Sequence, residues 1–249
     1  MSLSGKAILI TGASRGIGAA TAAACVKAGA RVIAHASAPG EAATALRSEL
    51  GIDPADFFYE DLSQEGAGGR LAARAIARAG RLDAVVNNAG VARPSPISAS
   101  DDTWDAAWHE IMAVNVRAPA DICRRAIAHF RQHGGGRVIN VASRAGHRGD
   151  KLDFSAYAAS KGALLAMTKT FARALAGENI LFYAVAPGWV ETRMAPEDVA
   201  ARKAAVAEIP LGRVAEPAEV AALIAFLLTD ACPSATGATF DVNGASYVR

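Results

Sequence analysis

Hydrophobic positions along the chain follow two alternating patterns. Short apolar runs rich in Val and Ile are each followed by a longer alanine-rich stretch with helical periodicity. The runs are typical of strands buried on both faces, and the stretches are typical of helices. The predicted strands are Ala7 to Thr11, Arg31 to His35, Phe57 to Glu60, Ala84 to Asn87, Arg137 to Ala142, Leu181 to Ala186 and Thr239 to Val242. The predicted helices are Ile17 to Ala28, Glu41 to Leu50, Gly69 to Ala79, Thr103 to His133, Ser155 to Ala176 and Pro217 to Thr229.

This alternation predicts an α/β fold, with a doubly wound, seven-stranded parallel sheet and helices on both faces. No composition break or internal repeat suggests a second domain, so we expect residues 1–249 to form one domain. One segment, 189–210, is longer than most connections, and its part from Pro196 to Glu208 alternates apolar and charged residues. We expect it to fold over a ligand as a lid; a cover for the sheet edge is the alternative.

The near balance of charge disfavours two classes of partner. The 249 residues include 26 Lys and Arg against 24 Asp and Glu, and this net charge of +2 is too small to attract nucleic acid or an anionic membrane surface. The longest apolar run, Val220 to Leu228, is about half of the roughly 20 residues needed to cross a bilayer. No secretory signal precedes the first predicted strand, so we expect a cytoplasmic protein.

Neither the cysteines nor the histidines predict a metal site or a disulfide framework. Cys25, Cys123 and Cys232 lie far apart in the sequence and form no Cys-x-x-Cys pair. His129 and His133 are four residues apart, but no Glu follows His129 and no third ligand is evident. We therefore expect no metal.

A glycine-rich segment follows the first predicted strand and opens the first predicted helix. It reads Thr11-Gly12-Ala13-Ser14-Arg15-Gly16-Ile17-Gly18. Glycine permits a sharp turn, lets the main chain approach a pyrophosphate, and leaves the helix N-terminus free to bind an anion. The spacing differs from the common G-x-G-x-x-G pattern, so the segment alone is compatible with a dinucleotide loop or with an ordinary tight turn.

Tyr157 and Lys161 are four residues apart on a predicted helix, which places them on one face. A nearby ammonium group lowers the pKa of a phenol from its usual value of about 10, so that the phenol can act as an acid or a base. Such a pair alone is more often a surface or packing feature. Ser143, however, ends the fifth predicted strand, so it can meet Tyr157 at the carboxyl edge of the sheet, where such folds bind ligands.

Together these motifs resemble those of the single-domain short-chain dehydrogenases/reductases. The matching segments are Thr-Gly-x-x-x-Gly-x-Gly, Asn87-Asn88-Ala89-Gly90, Tyr157-Ala158-Ala159-Ser160-Lys161, Asn115, Ser143, Pro187-Gly188 with Thr192, and Gly237-x-Thr239-x-x-Val242-x-Gly244. The resemblance covers essentially the whole chain. It implies a Rossmann-type fold, hydride transfer between a nicotinamide cofactor and a small ketone or secondary alcohol, and a homotetramer or, failing that, a dimer.

The resemblance also implies a role for each matching residue. Tyr157 would pass a proton to or from the substrate oxygen, and Ser143 would hydrogen-bond that oxygen. Lys161 would bind the nicotinamide ribose and lower the pKa of the tyrosine, while Asn115 would hold a water that links Lys161 to solvent. Besides Tyr157 and Lys161, the implied cofactor-binding residues are Gly12, Ser14, Arg15, Gly16, Ile17, Gly18, Ser37, Asp61, Leu62, Asn88, Ala89, Gly90, Pro187, Gly188, Val190 and Thr192.

The residues after the second predicted strand bear on the choice of cofactor. An acid about 20 residues after the glycine loop would bind the adenosine ribose and select NAD. Here the sequence is His35-Ala36-Ser37-Ala38, with no acid before Glu41. Arg15 is the cation that reaches the 2′-phosphate in similar NADP-dependent proteins, so we expect NADP(H). If Arg15 is only a solvated surface charge, NAD(H) would serve as well.

The loop between Ser143 and Tyr157 is one residue longer than is common in similar proteins, and it is unusually charged. Its charged residues and histidine are Arg144, His147, Arg148, Asp150, Lys151 and Asp153. The loop either forms a pocket for a polar or anionic substrate or exposes its charges to water. We expect the second arrangement, since isolated surface charges are the norm.

The sequence leaves the substrate open. The segment Ile209-Pro210-Leu211-Gly212-Arg213 resembles reductases of 3-oxoacyl thioesters carried on acyl carrier protein, and Arg173 matches a basic position that docks the carrier there. Gly134 replaces a second basic position, although Arg131 is close by. A dehydrogenase of a sugar, a polyol, or a cyclic or other small secondary alcohol is the alternative. A non-catalytic nucleotide-binding regulator is a third possibility.

Overall fold

A seven-stranded sheet, parallel throughout, forms the centre of the computed structural model, which describes residues 2–192 and 198–249. The strands are β1 (Ala7–Ile10), β2 (Arg31–Ala36), β3 (Phe57–Tyr59), β4 (Ala84–Asn87), β5 (Gly136–Val141), β6 (Ile180–Pro187) and β7 (Thr239–Val242). Their spatial order is β3-β2-β1-β4-β5-β6-β7: β2 and β3 are added on one side of β1, and β4 to β7 are added on the other, so the order of the strands reverses between β1 and β4. The predicted doubly wound sheet is confirmed. Ligands bind beyond the carboxyl ends of the strands at such a reversal.

Helices cover both faces of this sheet. The α-helices are α1 (Gly16–Lys27), α2 (Glu41–Leu50), α3 (Ala67–Ala79), α4 (Asp101–Met112), α5 (Ala118–Gln132), α6 (Ala145–Arg148), α7 (Ser155–Leu175), α8 (Val199–Ala207) and α9 (Pro217–Leu227). No helix among the described residues is both long and apolar enough to span a membrane.

The two faces bury separate hydrophobic cores because side chains alternate along each strand. In β1, Ile8 and Ile10 join the core beneath α1, α2 and α9, whereas Leu9 joins the core beneath α3, α5 and the end of α7. All three side chains are fully buried. This explains why the predicted strands are apolar at nearly every position rather than at alternate ones.

The structure corrects one predicted helix. The sequence predicts an uninterrupted helix from Thr103 to His133, but the structure has a π-helical turn, Ala113–Arg117, between α4 and α5. Such a turn accommodates one extra residue without breaking the helix, so the hydrophobic periodicity gives little warning of it. Asn115 lies in the middle of this turn.

The predicted lid is described only in part. Residues 193–197, which include the predicted helix start at Pro196, lie outside the described residues. Val190 begins the segment with an isolated parallel bridge to Ala215, and α8 follows the gap. Beyond α8, Ile209 is buried and its side chain packs close to Gly244. Both ends of the segment are therefore fixed to the body of the protein.

Candidate active site

The glycine-rich segment forms a tight turn between β1 and α1. Gly12 and Gly16 have φ angles of 64° and 55°, which favour glycine. Gly18 faces the turn so closely that a Cβ atom there would lie 2.1 Å from the carbonyl oxygen of Gly12. No side-chain hydrogen bond caps α1 and no acid lies in its first turn. Its first N–H groups are thus free to bind an anion such as a pyrophosphate.

Thr11 and Asn88 join this turn to the end of β4. The Thr11 hydroxyl accepts hydrogen bonds from the backbone N–H groups of Asn88 and Ala89, both at 3.0 Å. The Asn88 side chain donates to the carbonyl oxygens of Thr11 at 2.9 Å and Gly12 at 3.1 Å. The predicted cofactor residues 12–18 and 88–90 therefore form one connected surface.

His35 is buried beneath this surface and supports the glycine turn, a role that the sequence motifs do not indicate. The backbone N–H of Gly12 donates to His35 Nδ1 at 3.2 Å, and His35 Nε2 lies 2.9 Å from the carbonyl oxygen of Glu60. Nε2 thus donates and Nδ1 accepts, which requires a neutral ring. Burial lowers the pKa of His35, which keeps it neutral. In the sequence, the only indication of this role is that a histidine ends an otherwise apolar predicted strand.

The predicted adenosine site is open to solvent. Arg15 and Ser37 are both exposed, as contact with a phosphate from solvent requires. Asp61 is exposed, and its carboxylate accepts hydrogen bonds from the backbone N–H and hydroxyl of Ser63. The backbone N–H of Ser63 is the main cause that lowers the pKa of Asp61. Leu62 is buried in the core beneath α3, so only its backbone is available to a ligand.

Ser143, Tyr157 and Lys161 converge at the carboxyl edge of β5. Ser143 follows that strand, and its hydroxyl accepts a hydrogen bond from the Ala145 N–H at 3.1 Å. Lys161 is buried on α7; its Nζ donates to the carbonyl oxygen of Val141 at 2.9 Å and lies 5.7 Å from the centroid of the Tyr157 ring. The structure therefore brings together the three residues that the sequence selected.

The ionisation of Tyr157 differs from the sequence-based expectation. Burial raises the pKa of Tyr157, and a hydrogen bond with Ser143 opposes that shift without reversing it. Lys161 was expected to lower this pKa, but its Nζ lies beside the ring and bonds to Val141. Burial instead lowers the pKa of Lys161 to about 8. The phenol is thus protonated at neutral pH, and the lysine can release or accept a proton there.

The lowered pKa of Lys161 makes folding stability depend on pH. Its pKa is 10.5 ordinarily and about 8 when folded, so between these values the unfolded chain binds more protons. The free-energy cost of burying the ammonium group is fully present below about pH 8 and disappears above about pH 10.5. We expect the free energy of unfolding of the wild type, relative to that of Lys161→Met, to rise by about 3 kcal/mol across this window. Urea unfolding at pH 7.5 and 10.5 measures this difference, and an unchanged difference would contradict the assignment.

Asn115 joins α7 to the segment that follows β4. Its Oδ1 accepts from the Val91 N–H at 2.8 Å, while its Nδ2 donates to the Val91 carbonyl oxygen at 2.9 Å and to Ser160 Oγ at 3.0 Å. A Cβ atom at Gly90 would lie 3.3 Å from both Asn115 Oδ1 and Lys161 Nζ. Asn115 therefore lies beside Lys161, while its side chain is engaged with protein groups.

The start of the lid lies over the glycine turn. A Cβ atom at Gly16 would lie 3.1 Å from the Thr192 side chain. Pro187 ends β6, and the backbone N–H of Gly188 donates to the carbonyl oxygen of Val242 at 3.0 Å. Val190 is buried, so only its backbone is positioned to contact a ligand. Residues 187–192 thus lie beside both the glycine turn and the Ser143 strand.

The charged loop after Ser143 is not simply solvated, which partly corrects the expectation. Asp150, Lys151 and Asp153 are exposed, as expected. Arg144, in contrast, is only 6% exposed, because it lies between β5 and the lid segment. His147 is partly buried, with its ring stacked on Tyr247.

The basic positions expected to dock an acyl carrier protein are unequal. Arg131 makes two hydrogen bonds to Glu178, of 2.6 and 2.9 Å, so its charge is already paired. Arg173 is exposed near the end of α7. Gly134 adopts a φ of 79°, which explains glycine rather than a basic residue there.

Known proteins are similar to this chain in sequence and in overall fold. The sequence model of a family described as enoyl-(acyl carrier protein) reductase matches residues 12–245. The 3-oxoacyl-(acyl-carrier-protein) reductase FabG of Thermotoga maritima is 34% identical over 98% of this chain and 98% of its own. The chain belongs to the short-chain dehydrogenase/reductase family. This short-chain dehydrogenase/reductase is therefore an oxidoreductase, as its motifs predicted.

Two further relatives show the range of this similarity. Cis-4-hydroxycyclohexanecarboxylate dehydrogenase of Sinomonas cyclohexanicum is 36% identical over 96% of this chain and 95% of its own. A 3-oxoacyl (acyl-carrier-protein) reductase of Agrobacterium tumefaciens, whose crystal structure has NADP bound, is 32% identical and superposes with a TM-score of 0.89 over 98% of this chain and 95% of its own. The names of these relatives state different substrates.

Proposed function

We propose that this short-chain dehydrogenase/reductase interconverts a ketone and a secondary alcohol with NADP(H), using Ser143, Tyr157, Lys161 and Asn115. The observation that carries the proposal is the buried amino group of Lys161, 5.7 Å from the ring of Tyr157 and beside the serine that ends β5. Hydride transfer to a ketone needs a proton donor and a hydrogen-bond donor for the oxygen. This cluster provides both.

Each side chain takes a role that its environment supports. The Tyr157 hydroxyl, protonated at neutral pH because burial raises its pKa, gives its proton to the carbonyl oxygen during reduction. Ser143 donates a hydrogen bond to the same oxygen. Lys161, with a pKa of about 8, restores the proton to Tyr157, and Asn115 positions the segment beside Lys161. Oxidation of the alcohol would use the same groups in reverse.

The cofactor assignment is supported by features of this chain. The uncapped start of α1 would hold the pyrophosphate, the 88–90 segment would face the adenosine ribose, and Thr192 would lie near the carboxamide. Arg15 and Ser37 would hold the 2′-phosphate because both are exposed at that end and no acid lies between residues 31 and 40. The hydride itself comes from the nicotinamide of the bound cofactor.

Substitution of Ser37 by Asp tests the position of the phosphate. A carboxylate beside the 2′-phosphate would repel it, so we expect Ser37→Asp to lower kcat/KM for NADPH by about ten-fold or more, with little change for NADH. Ser37→Asn is the matched control, because it has similar size without charge. Initial rates with both cofactors measure the effect. Unchanged use of NADPH by the Asp variant would place the phosphate elsewhere.

The substrate class is proposed more broadly. Reduction of a 3-oxoacyl thioester is one candidate, and the name of the Thermotoga maritima relative supports it. Docking of an acyl carrier protein is less well supported, because Arg131 is paired with Glu178 and Gly134 is uncharged. Oxidation of a sugar, polyol or cyclic alcohol is the second candidate, supported by the name of the Sinomonas relative. NADPH oxidation with acetoacetyl thioester, diketones, cyclic ketones and keto sugars distinguishes the candidates.

The proposal includes self-association and a cytoplasmic location. Trp104 and Trp108 lie on one face of α4 with ring centroids 5.6 Å apart, and both side chains are only partly buried. A partly exposed aromatic pair is typical of a subunit interface. A homotetramer, or a dimer, built on this surface predicts a molecular mass in light scattering well above the 25.5 kDa of one chain.

A further inference from the structure

Arg144 is a buried charged residue next to the candidate active site. It directly follows Ser143, and its backbone N–H donates to the carbonyl oxygen of Pro187 at 3.0 Å. It therefore lies between the serine and the 187–192 segment. Only 7% of its side chain is exposed. The guanidinium lies on the side of the lid segment, near Trp189 and Glu208.

The guanidinium of Arg144 is incompletely paired. Nη2 lies 3.5 Å from Glu208 Oε2, and the group lies 6.0 Å from the ring centroid of Trp189. Nη1 is buried and has no hydrogen-bond partner among residues 2–192 and 198–249. Burial lowers the pKa of Arg144, and Arg148 adds to this, yet arginine stays charged in proteins. A buried cation with unpaired N–H groups is costly to the fold.

The neighbouring carboxylates compensate this charge only in part. Glu208 is half-exposed, and its Oε2 also lies 3.3 Å from Arg148. Asp150, which also attracts Arg144, is exposed and therefore solvated. Among the residues that the structure describes, Nη1 of Arg144 thus remains buried without a partner, one residue after Ser143 in the chain.

We propose that Arg144 binds a carboxylate of the substrate, so that the enzyme prefers oxo acids and the corresponding hydroxy acids. This inference rests on the proposed ketone reduction. The planar guanidinium fits a carboxylate and binds it strongly where water is excluded. The substrate carboxylate supplies the partner that Nη1 lacks.

Matched pairs of substrates test the preference in the wild type. The pairs are acetoacetate, 4-oxopentanoate and 4-oxocyclohexanecarboxylate, each against its methyl ester, with NADPH as the reductant. We expect kcat/KM to favour the acid by about ten- to hundred-fold in at least one pair, as charge-assisted hydrogen bonds allow. If the esters react as well as the acids in all three pairs, the inference is wrong. If no compound in a wider ketone panel is reduced, the proposed function fails instead.

Two arginine variants then test whether the preference for the acid over its ester depends on Arg144. Arg144→Met should lower kcat/KM for the preferred acid by at least ten-fold, mainly through KM, and leave its ester within three-fold. Arg148→Met, the matched control, should leave both substrates within three-fold, because Arg148 shares Glu208 but is more exposed.

A purely structural role of Arg144 predicts a different result. If Arg144 only fixed α8 through Glu208, then Arg144→Met and Glu208→Gln would lower the rates for acid and ester alike and would lower Tm. We expect Arg144→Met to keep or raise Tm, because it removes a costly buried charge while Glu208 retains Arg148. Parallel losses on acid and ester would overturn the inference.

Discussion

Replacement of Tyr157 by Phe is expected to lower kcat for ketone reduction by about 10²- to 10⁴-fold, the usual contribution of a positioned acid. The variant keeps the ring that lies 5.7 Å from Lys161 Nζ and removes only the hydroxyl that we propose as the proton donor. NADPH affinity should therefore change little. Stopped-flow or steady-state rates measure kcat, and fluorescence titration measures NADPH binding.

Tyr183→Phe is the matched control for this substitution. The hydroxyl of Tyr183 donates to the carbonyl oxygen of Cys232 at 3.4 Å, away from the carboxyl-edge cluster, so its loss should leave kcat unchanged. If Tyr157→Phe retains more than a tenth of the wild-type kcat, Tyr157 is not the proton donor. If the protein binds NADPH but reduces no ketone, the non-catalytic nucleotide-binding regulator becomes the favoured alternative.

Substitution of Gly18 by Ala is expected to have the largest effect on cofactor binding. The added methyl would lie 2.1 Å from the Gly12 carbonyl oxygen and 2.5 Å from Asn88 Nδ2, so the turn must open. Because overpacking typically costs about 1–3 kcal/mol, we expect lower stability and NADPH binding weakened by more than ten-fold. Calorimetry gives both quantities.

Gly69→Ala is the control for Gly18→Ala, because it adds a methyl group where there is room for it. Gly69 lies inside α3, and a Cβ atom there meets only the side chain of Arg125 at 4.0 Å. Since alanine is the better helix former, this variant should gain about 0.5–1 kcal/mol and bind NADPH normally. Equal NADPH affinity in both glycine variants would show that the pyrophosphate does not lie on this turn.

The sheet was predictable because the sequence pattern of a doubly covered parallel sheet is strong. Val85 and Val86 in β4, for example, point to opposite faces, and both are fully buried. The residues that converge at the site were also predictable, because their motifs sit at the ends of strands and on one helix face. Ser143 and Lys161 illustrate this.

Three features of the site were not predictable, each because it depends on contacts between distant segments. The sequence gives His35 no role at the site, yet its ring accepts a hydrogen bond from Gly12, 23 positions away along the chain. The sequence predicts Arg144 as a solvated loop charge, but Trp189 and Glu208 of the lid segment lie against it and it is buried. The raised pKa of Tyr157 follows from burial, which spacing along a helix does not specify.

The π turn at Asn115 also sets the rotational phase of the helices that it joins. Because each α-helical residue turns the chain by about 100°, one inserted residue rotates α5 by that amount relative to α4. As a result α4 can face α7, while α5 turns Ile122, Ala126 and Phe130 toward α3 and the sheet. Deleting a single residue within Ala113–Arg117 would therefore rotate that apolar stripe out of the core while also displacing Asn115. In this part of the chain, the same inserted residue therefore determines both the packing of α5 in the core and the position of Asn115.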